Sequence, residues 1–311
     1  MAKRKTRVEV GSCRLERIVA VMLRAGFDLR PEGEFVMASV LVTGASRGIG
    51  LETALGFARA GYTVFATMRN PAKSSKLAAI AANELLPVFV SAMDVDSDES
   101  VAQGIAAIVA EHGPIDVLVN NAGIAIPGAV EEASVEQFRS MMETNYFGVL
   151  RCMKAVIPSM RERRSGCIIS VSSVAGRMAN PPLTAYAASK WALEALSESL
   201  AAEMKPFNVR VSVVEPGVID TDMAREIASA GDSAYGHTAR FEMLFSKALE
   251  TPTPATAVSE KILEIVESGT WVFRHPVGVG RLLEKRKLMT DEESIDMHAG
   301  DDASFFAKLM G

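Results

Sequence analysis

The chain is poor in the residues that build metal centres and disulfide frameworks. It has only 3 cysteines and 4 histidines among 311 residues, and none of them stands at a metal-ligand or redox spacing. Cysteines that form neither disulfides nor metal sites are typical of a reducing compartment. We therefore predict a cytoplasmic protein without a metal site.

The sequence also lacks long apolar runs and an excess of positive charge. No run approaches the ~20 apolar residues of a membrane-spanning helix. A net charge of −5 and a pI near 5.6 offer no attraction to nucleic acid or to an anionic membrane. Hydrophobic residues nevertheless make up 49% of the chain, and the mean hydropathy is +0.17. Length and composition together fit one domain with appendages.

A glycine-rich turn joins a strand-like segment to a helix-like segment. The strand-like run is Ser39–Val42, and the turn Thr43–Gly50 reads TGASRGIG. Glycines at such a point let the backbone bend sharply and approach a pyrophosphate at the positive end of the following helix. Taken alone, the turn also fits an ordinary strand-to-helix connection.

A tyrosine and a lysine stand four residues apart in a segment with helical periodicity. Tyr186 and Lys190 therefore occupy one face of a helix, one turn from each other. A free tyrosine has a pKa of roughly 10. A nearby ammonium favours the phenolate, so the pair predicts a proton donor or acceptor near neutral pH. By itself, the pair also fits two surface residues of an amphipathic helix.

Four motifs, in this order, resemble the short-chain dehydrogenase/reductase family in its single-domain branch. They are Thr43–Gly50, Asn120-Asn121-Ala122-Gly123, Ser173 and Tyr186-x-x-x-Lys190. The resemblance extends over residues 38–221 and weakly to 272. It implies a doubly wound parallel sheet of the Rossmann type with helices on both faces, as the alternation of strand-like and helix-like segments also indicates.

The resemblance implies hydride transfer between a nicotinamide and a carbonyl or secondary alcohol. Tyr186 would give or take the proton, Lys190 would lower the tyrosine pKa and hold the ribose, and Ser173 would hydrogen-bond the substrate oxygen. Asn145 would keep a water that links Lys190 to solvent. It stands inside a predicted long helix at about 134–160. Because asparagine is a poor helix former, we also expect a kink or a buried hydrogen bond there.

The residue at the end of the second predicted strand distinguishes NAD(H) from NADP(H) as the cofactor. A carboxylate there would hold a ribose 2′-hydroxyl, but Met68 and Arg69 occupy the place, and Arg47 adds a second cation. Two guanidiniums can bind a 2′-phosphate, so we predict NADP(H), although both also fit solvated loop positions. With the resemblance, this gives the expected cofactor-binding residues Gly44, Ser46, Arg47, Gly48, Ile49, Gly50, Arg69, Asp94, Val95, Asn121, Ala122, Gly123, Tyr186, Lys190, Pro216, Gly217, Ile219 and Thr221.

The two ends of the chain match the family pattern less closely than its middle. Because Met37 begins a segment typical of this family's start, we predict that residues 1–36 are a poorly ordered extension or a mis-assigned start. Residues 37–275 form the predicted domain, with its last strand at 271–273 and a lid over the substrate at about 222–250. Four apolar lid residues either line a pocket or anchor the lid: Phe241, Met243, Leu244 and Phe245. Residues 276–311 are a tail to which the pattern assigns no role.

The predicted function is an NADP(H)-dependent oxidoreductase acting on an apolar small molecule. Residues 66–70 are similar to family members acting on steroids or retinoids. Two alternatives remain: a non-redox enzyme such as a dehydratase or epimerase, and a non-enzymatic NADP(H) sensor. Tyr186 and Lys190 disfavour the sensor, which needs neither. Family members commonly pair through their long helices, so we expect a homodimer or homotetramer, without a nucleic-acid partner.

Overall fold

The computed structural model describes residues 27–29, 35–73, 75–228, 233–300 and 305. The first two strands, β1 (Phe27–Leu29) and β2 (Phe35–Met37), pair antiparallel in a small separate sheet. The rest of the segment predicted as an N-terminal extension lies outside the described residues. The prediction made for residues 1–36 therefore stays a prediction.

A parallel sheet of seven strands forms the centre of the protein, as the doubly wound prediction requires. In sheet order the strands are β5 (Val88–Ala92), β4 (Thr63–Met68), β3 (Ser39–Thr43), β6 (Val117–Asn120), β7 (Gly166–Val171), β8 (Val209–Pro216) and β9 (Arg274–Val277). Every neighbouring pair is parallel. The strand order reverses between β3 and β6, and such a switch point leaves a crevice outside the carboxyl ends of the strands.

Helices cover both faces of this sheet. In chain order they are α1 (Gly48–Arg59), α2 (Ser75–Asn83), α3 (Asp98–His112), α4 (Val135–Met142), α5 (Gly148–Arg163), α6 (Thr184–Met204), α7 (Asp222–Ile227), α8 (Gly236–Ala248), α9 (Ala255–Ser268), α10 (Gly280–Leu288) and α11 (Asp291–Ala299). Side chains of a strand alternate between faces. Val40 and Val42 therefore pack in one core with α1 and α9, and Leu41 packs in the other with α3, α5 and α6.

The segment predicted as one helix at 134–160 is interrupted. Helix α4 begins with a capping box in which Ser134 and Gln137 satisfy each other's backbone N–H groups. A π-helical turn, Glu143–Phe147, then separates α4 from α5, and α5 continues to Arg163. The π turn contains Asn145, where the sequence predicted a kink. Turns of this type are frequently found at functional sites.

The last strand differs from its prediction. It runs over Arg274–Val277 and pairs with β8 from Val213 onward, whereas Trp271 and Val272 precede it and are exposed. Aromatic and β-branched composition suggested a strand at 271–273, but hydrogen bonding to the neighbouring strand sets the boundaries, and composition alone does not contain that register.

The tail beyond β9 folds against the lid. Helices α10 and α11 bury Leu283 and Met297. Arg240 of α8 donates hydrogen bonds to the carbonyl oxygens of His298, at 3.0 Å, and Gly300, at 2.6 Å. Within the described residues, no helix has the length and apolar character needed to cross a membrane.

Candidate active site

A crevice of about 350 Å³ opens at the carboxyl edge of the sheet. It collects most residues that the sequence predicted for cofactor and substrate. Those lining it are Gly44, Ser46, Arg47, Gly48, Ile49, Arg69, Asp94, Val95, Asn121, Ala122, Gly123, Ser173, Tyr186, Lys190, Pro216, Gly217, Ile219 and Thr221. Gly50 and Asn145 are the two predicted site residues that do not line it, and both lie directly behind its wall.

The glycine turn allows three backbone segments to meet under the crevice. Gly44 has a φ of +65°, and a Cβ on it would lie 2.7 Å from the Cα of Ala122. A Cβ on Gly50 would lie 2.4 Å from the Gly44 carbonyl oxygen. The Asn121 side-chain amide donates to the carbonyl oxygens of Thr43 and Gly44, at 2.9 and 3.1 Å. The close approach of β3, α1 and the loop after β6 therefore depends on these two glycines.

Three candidate catalytic side chains face the same space. Tyr186 and Lys190 of α6 are 9% and 4% exposed. The Lys190 Nζ atom donates to the carbonyl oxygen of Val171 at 2.9 Å. Ser173 follows β7 and accepts a hydrogen bond from the backbone N–H of Ala175 at 3.1 Å, which caps a short 3₁₀ turn. The end of β7 therefore positions both the serine and the lysine ammonium.

Burial dominates the acid–base properties of this group. It raises the pKa of Tyr186 above its ordinary value, and the neighbouring Ser173 hydroxyl acts in the opposite direction. It lowers the pKa of Lys190 to about 8, although the negative charge of Glu194 acts in the opposite direction. The net direction for Tyr186 is opposite to that expected from the tyrosine–lysine pair alone, because a closed site disfavours ions of both signs. The tyrosine is therefore protonated at neutral pH.

Asn145 is fully buried and ties α6 to the loop after β6. Its Oδ1 accepts from the backbone N–H of Ile124, and its Nδ2 donates to the Ile124 carbonyl oxygen and to Ser189 Oγ, all at 2.9 Å. Ser189 Oγ in turn donates to the carbonyl oxygen of Tyr186 at 2.7 Å. The expected buried hydrogen bond is therefore present. Both amide hydrogens of Asn145 are used in positioning the wall of the crevice.

The two arginines predicted at the cofactor differ in their surroundings. Arg47 donates to Asp222 Oδ2 and Glu226 Oε1, both at 3.1 Å, and so joins the glycine turn to α7. The sequence argument had placed no carboxylate beside these cations. Arg69 is exposed at the rim of the crevice. The two guanidiniums are therefore not equivalent candidates for a phosphate contact.

The lid contributes an apolar wall. Phe241, Leu244 and Phe245 of α8 line the crevice, and the rings of Phe241 and Phe245 lie 4.5 Å apart between centroids. Phe241 also belongs to a buried cluster with Tyr186, so it both lines the pocket and anchors the lid. Met243 is 54% exposed and does neither.

Several lining residues were not predicted. Val279 and Leu282 come from the tail, whose only signal was apolar residues three apart at the start of a helix-like segment. Asp96 also lines the crevice and accepts a hydrogen bond from Thr144 Oγ1 at 3.0 Å. Burial raises the pKa of Asp96. In the described part of the chain, no group of three histidine, cysteine or acidic side chains is arranged to hold a metal ion.

The parallel sheet, its switch point and the glycine turn define a doubly wound, nucleotide-binding class of α/β protein. Comparison with known families narrows this class to a single family. Residues 38–232 match the family described as short chain dehydrogenase. The chain belongs to this family.

Several known proteins are similar to this chain in sequence or in structure. Retinol dehydrogenase 8 of Bos taurus is 45% identical over 188 residues, which cover 59% of this chain and 60% of that protein. The 3-ketodihydrosphingosine reductase of Bacteroides thetaiotaomicron is 41% identical over 182 residues, covering 58% and 64%. The chain thus spans about three fifths of the length of these curated relatives. Gluconate 5-dehydrogenase of Burkholderia cenocepacia, in complex with NADP and tartrate, has a TM-score of 0.68 at 27% identity, covering 77% of this chain and 93% of that one.

Proposed function

We propose that the protein is an NADP(H)-dependent oxidoreductase acting on the carbonyl or secondary alcohol group of an apolar small molecule. The observation that carries this proposal is the convergence of Tyr186, Lys190 and Ser173 beside a glycine turn at the switch point of the sheet. A phenol, an ammonium and a hydroxyl are the groups needed to polarise a carbonyl oxygen and give it a proton.

The crevice has the shape that a dinucleotide requires. A Cβ on Gly44 would meet Ala122, and a Cβ on Gly123 would stand 3.2 Å from Asn145 Oδ1 and 3.7 Å from Lys190 Nζ. Both glycines therefore allow the close backbone packing beside the proposed site of the ribose and the nicotinamide. The N-terminus of α1 would hold the pyrophosphate. The other contacts expected from the family are those of Asp94 and Val95 with the adenine, of Lys190 with the ribose, and of Pro216, Gly217, Ile219 and Thr221 with the nicotinamide.

The bound nicotinamide supplies the hydride in reduction and accepts it in oxidation. Tyr186 donates its hydroxyl proton to the carbonyl oxygen of the substrate, so that hydride and proton together give the alcohol. Ser173 donates a hydrogen bond to the same oxygen. Lys190 stabilises the phenolate that forms on Tyr186, and Asn145 keeps α6 in place. A raised tyrosine pKa suits this role, because the proton is present when the substrate binds.

The proposed preference for NADP(H) rests on the residues at the rim of the crevice. Strand β4 ends at Met68 without a carboxylate, and the exposed Arg69 follows it. A guanidinium there can bind a 2′-phosphate through two parallel hydrogen bonds. The structurally similar gluconate 5-dehydrogenase was solved with NADP. Arg47 contributes less, because Asp222 and Glu226 already share its charge.

The apolar substrate is suggested by the lid and by the relatives. Phe241, Leu244 and Phe245 face the crevice together with Ile227 of α7. Two similar proteins are named for retinol and for 3-ketodihydrosphingosine, and both of these compounds carry a long apolar part.

Cofactor consumption tests the proposal. Purified protein is mixed with NADPH or NADH and a panel of aldehydes, cyclic ketones, acyl thioesters and steroid ketones, and absorbance at the nicotinamide band is followed. We expect oxidation of NADPH with an apolar ketone. Substrate conversion without net NADPH consumption would instead indicate a dehydratase or epimerase, and tight NADPH binding with no conversion would indicate a sensor.

We also propose that two or four copies pair through α4, α5 and α6. Phe147, at the junction of the π turn and α5, and Trp191 of α6 are large exposed apolar residues, and such residues are typical of a covered surface. Sedimentation equilibrium of the wild type and of a Trp191→Glu variant tests this. We expect the variant to dissociate at concentrations where the wild type stays associated, and a monomeric wild type would contradict the proposal.

A further inference from the structure

A second and larger cavity adjoins the crevice. This cavity, of about 1110 Å³, lies between the lid helix α8 and the tail helix α10. Residues that line both spaces are Asn180, Val218, Phe241, Leu244, Val279 and Leu282. The two spaces therefore adjoin at Phe241.

The wall next to the crevice is apolar, and the far wall is basic. Met178, Pro181 and Leu288 add apolar surface beyond the shared residues. On the other side, the cations Arg281 and Lys285 line the same space, as does Arg240, whose guanidinium is bound to the carbonyl oxygens of His298 and Gly300. Glu284 is the one carboxylate among the described lining residues, and it accepts a hydrogen bond from Lys287, which lies outside the lining. Counted over the described lining residues, the far wall thus has an excess of positive charge.

Two histidines at this wall have buried ring nitrogens that lack a partner. The Nε2 atoms of His237 and His298 are buried and make no hydrogen bond in the described structure, although buried polar atoms are nearly always paired. Burial lowers the pKa of both rings. Both rings are therefore neutral at pH 7.5 and add no charge to the far wall.

We infer that the second cavity is a subsite for the anionic end of the substrate, which would be an apolar oxo acid with a carboxylate far from its carbonyl group. This inference rests on the proposed function and makes its substrate class narrower. A carboxylate that leaves water needs cations and hydrogen-bond donors around it. Arg281 and Lys285 supply both, while the apolar wall accommodates the chain between the two ends.

A chain-length series tests the subsite. The probes are saturated oxo carboxylic acids of increasing length and the methyl ester of each, assayed with NADPH at pH 7.5. We expect the best acid to exceed its own ester in kcat/KM by about 10- to 100-fold, as charge-assisted hydrogen bonds are worth in general. A double variant, Arg281→Ala with Lys285→Ala, should bring this ratio close to one. Equal kcat/KM for acid and ester in the wild type would overturn the inference.

A matched variant controls for general changes in charge. Lys247→Ala removes an exposed cation from the lid helix α8, which faces α10, but Lys247 lines neither cavity. It should retain the full preference for the acid, and loss of the preference in this variant would mean that long-range charge causes it. Arg240 is not substituted, because it holds α11 to α8.

A binding measurement separates this inference from the proposed function. Calorimetry with an unreactive saturated fatty acid requires no turnover. If the wild type reduces no carbonyl compound at all, the proposed function fails, and fatty-acid binding that the double variant loses would still support the subsite. If simple ketones are reduced but the fatty acid does not bind, the proposed function stands and the anionic subsite is wrong.

Discussion

The Lys190 Nζ atom lies 5.7 Å from the centroid of the Tyr186 ring, one helical turn away on α6. The same atom donates a hydrogen bond to the carbonyl oxygen of Val171 at the end of β7. Helix and sheet together therefore hold a cation next to a buried phenol. The proposed chemistry depends on this arrangement, and the predictions below test its parts.

Tyr186→Phe removes the proposed proton donor and leaves the ring that packs in the lid cluster. We expect kcat to fall by roughly 10²- to 10⁴-fold, the usual contribution of a general acid, while the NADPH dissociation constant changes little. Steady-state kinetics and fluorescence titration measure the two quantities. Tyr62→Phe is the matched control, since Tyr62 is a buried core residue beside Phe57 and away from the crevice. Wild-type turnover in Tyr186→Phe would exclude the proposed role.

The pH profile should follow the charge on Lys190. Its pKa is lowered to about 8 by burial, so the ammonium is present below that value and is lost as pH rises through it. We expect kcat/KM for ketone reduction to fall on the alkaline side of about pH 8, because a neutral lysine no longer stabilises the phenolate of Tyr186. A profile that stays flat to pH 9.5 would contradict this assignment.

Glu194→Gln should move that alkaline fall to lower pH. Glu194 is buried one turn after Lys190, and its Oε2 accepts a hydrogen bond from Arg274 Nε at 3.2 Å. Burial raises the pKa of Glu194, while Arg274 and Arg177 act in the opposite direction. Its negative charge favours the ammonium of Lys190. Residues four apart on a helix have Cβ atoms roughly 5–6 Å apart, and a charge at about that distance moves a pKa by roughly 1–3 units. We therefore expect a displacement of about one pH unit.

Glu198→Gln is the control for this prediction. Glu198 stands one further turn along α6 and also accepts a hydrogen bond from Arg274, at 2.6 Å, but its side chain is exposed. Its removal should leave the pH profile in place. If both glutamine variants keep the wild-type profile, Glu194 already holds its proton and has no influence on Lys190.

Arg69→Ala should weaken the preference for NADPH over NADH. Loss of a charge-assisted contact with a phosphate corresponds to about 10- to 100-fold in kcat/KM for NADPH, with little change for NADH. Arg47→Ala should have the smaller effect, because its guanidinium is shared with Asp222 and Glu226. Arg59→Ala removes an exposed arginine paired with Glu84 and serves as the control. An unchanged NADPH:NADH ratio in Arg69→Ala would contradict NADP(H) recognition by this residue.

Gly50→Ala should destabilise the fold although Gly50 does not line the crevice. The new Cβ would lie 2.4 Å from both the Gly44 carbonyl oxygen and Asn121 Nδ2. Forcing backbone apart in a packed region costs about 1–3 kcal/mol in the free energy of unfolding. Gly236→Ala is the matched control, since a Cβ there meets nothing within 4 Å. Urea denaturation measures both, and equal stability of the two variants would contradict the packing role.

Local patterns predicted the central sheet well. The glycine turn after Ser39–Val42 and the apolar runs of β4 to β8 correspond to the observed elements, because strand periodicity and turn residues act over a few neighbours. The interruption at Asn145 was also visible as a poor helix former inside a helical pattern. Its form as a π turn was not, since it follows from the hydrogen bonds that Asn145 makes with Ile124 and Ser189.

Features that depend on contacts between distant parts of the chain were not predicted. The direction of the Tyr186 pKa shift was predicted wrongly for the same reason. The strand at Arg274–Val277 is defined by pairing with β8. The tail residues Val279 and Leu282 reach the crevice only through the packing of α10. The ion pairs of Arg47 join positions more than 170 residues apart, so no local pattern indicates them.

The sequence by itself determined which groups are the candidates for the chemistry, because the spacing of Tyr186 and Lys190 and the glycine turn are local properties of the chain. Only the tertiary structure decided how those groups ionise. Closure of the lid and the sheet edge around Tyr186 raises its pKa where the neighbouring lysine alone would lower it, since the cost of burying a charge depends on everything that surrounds it.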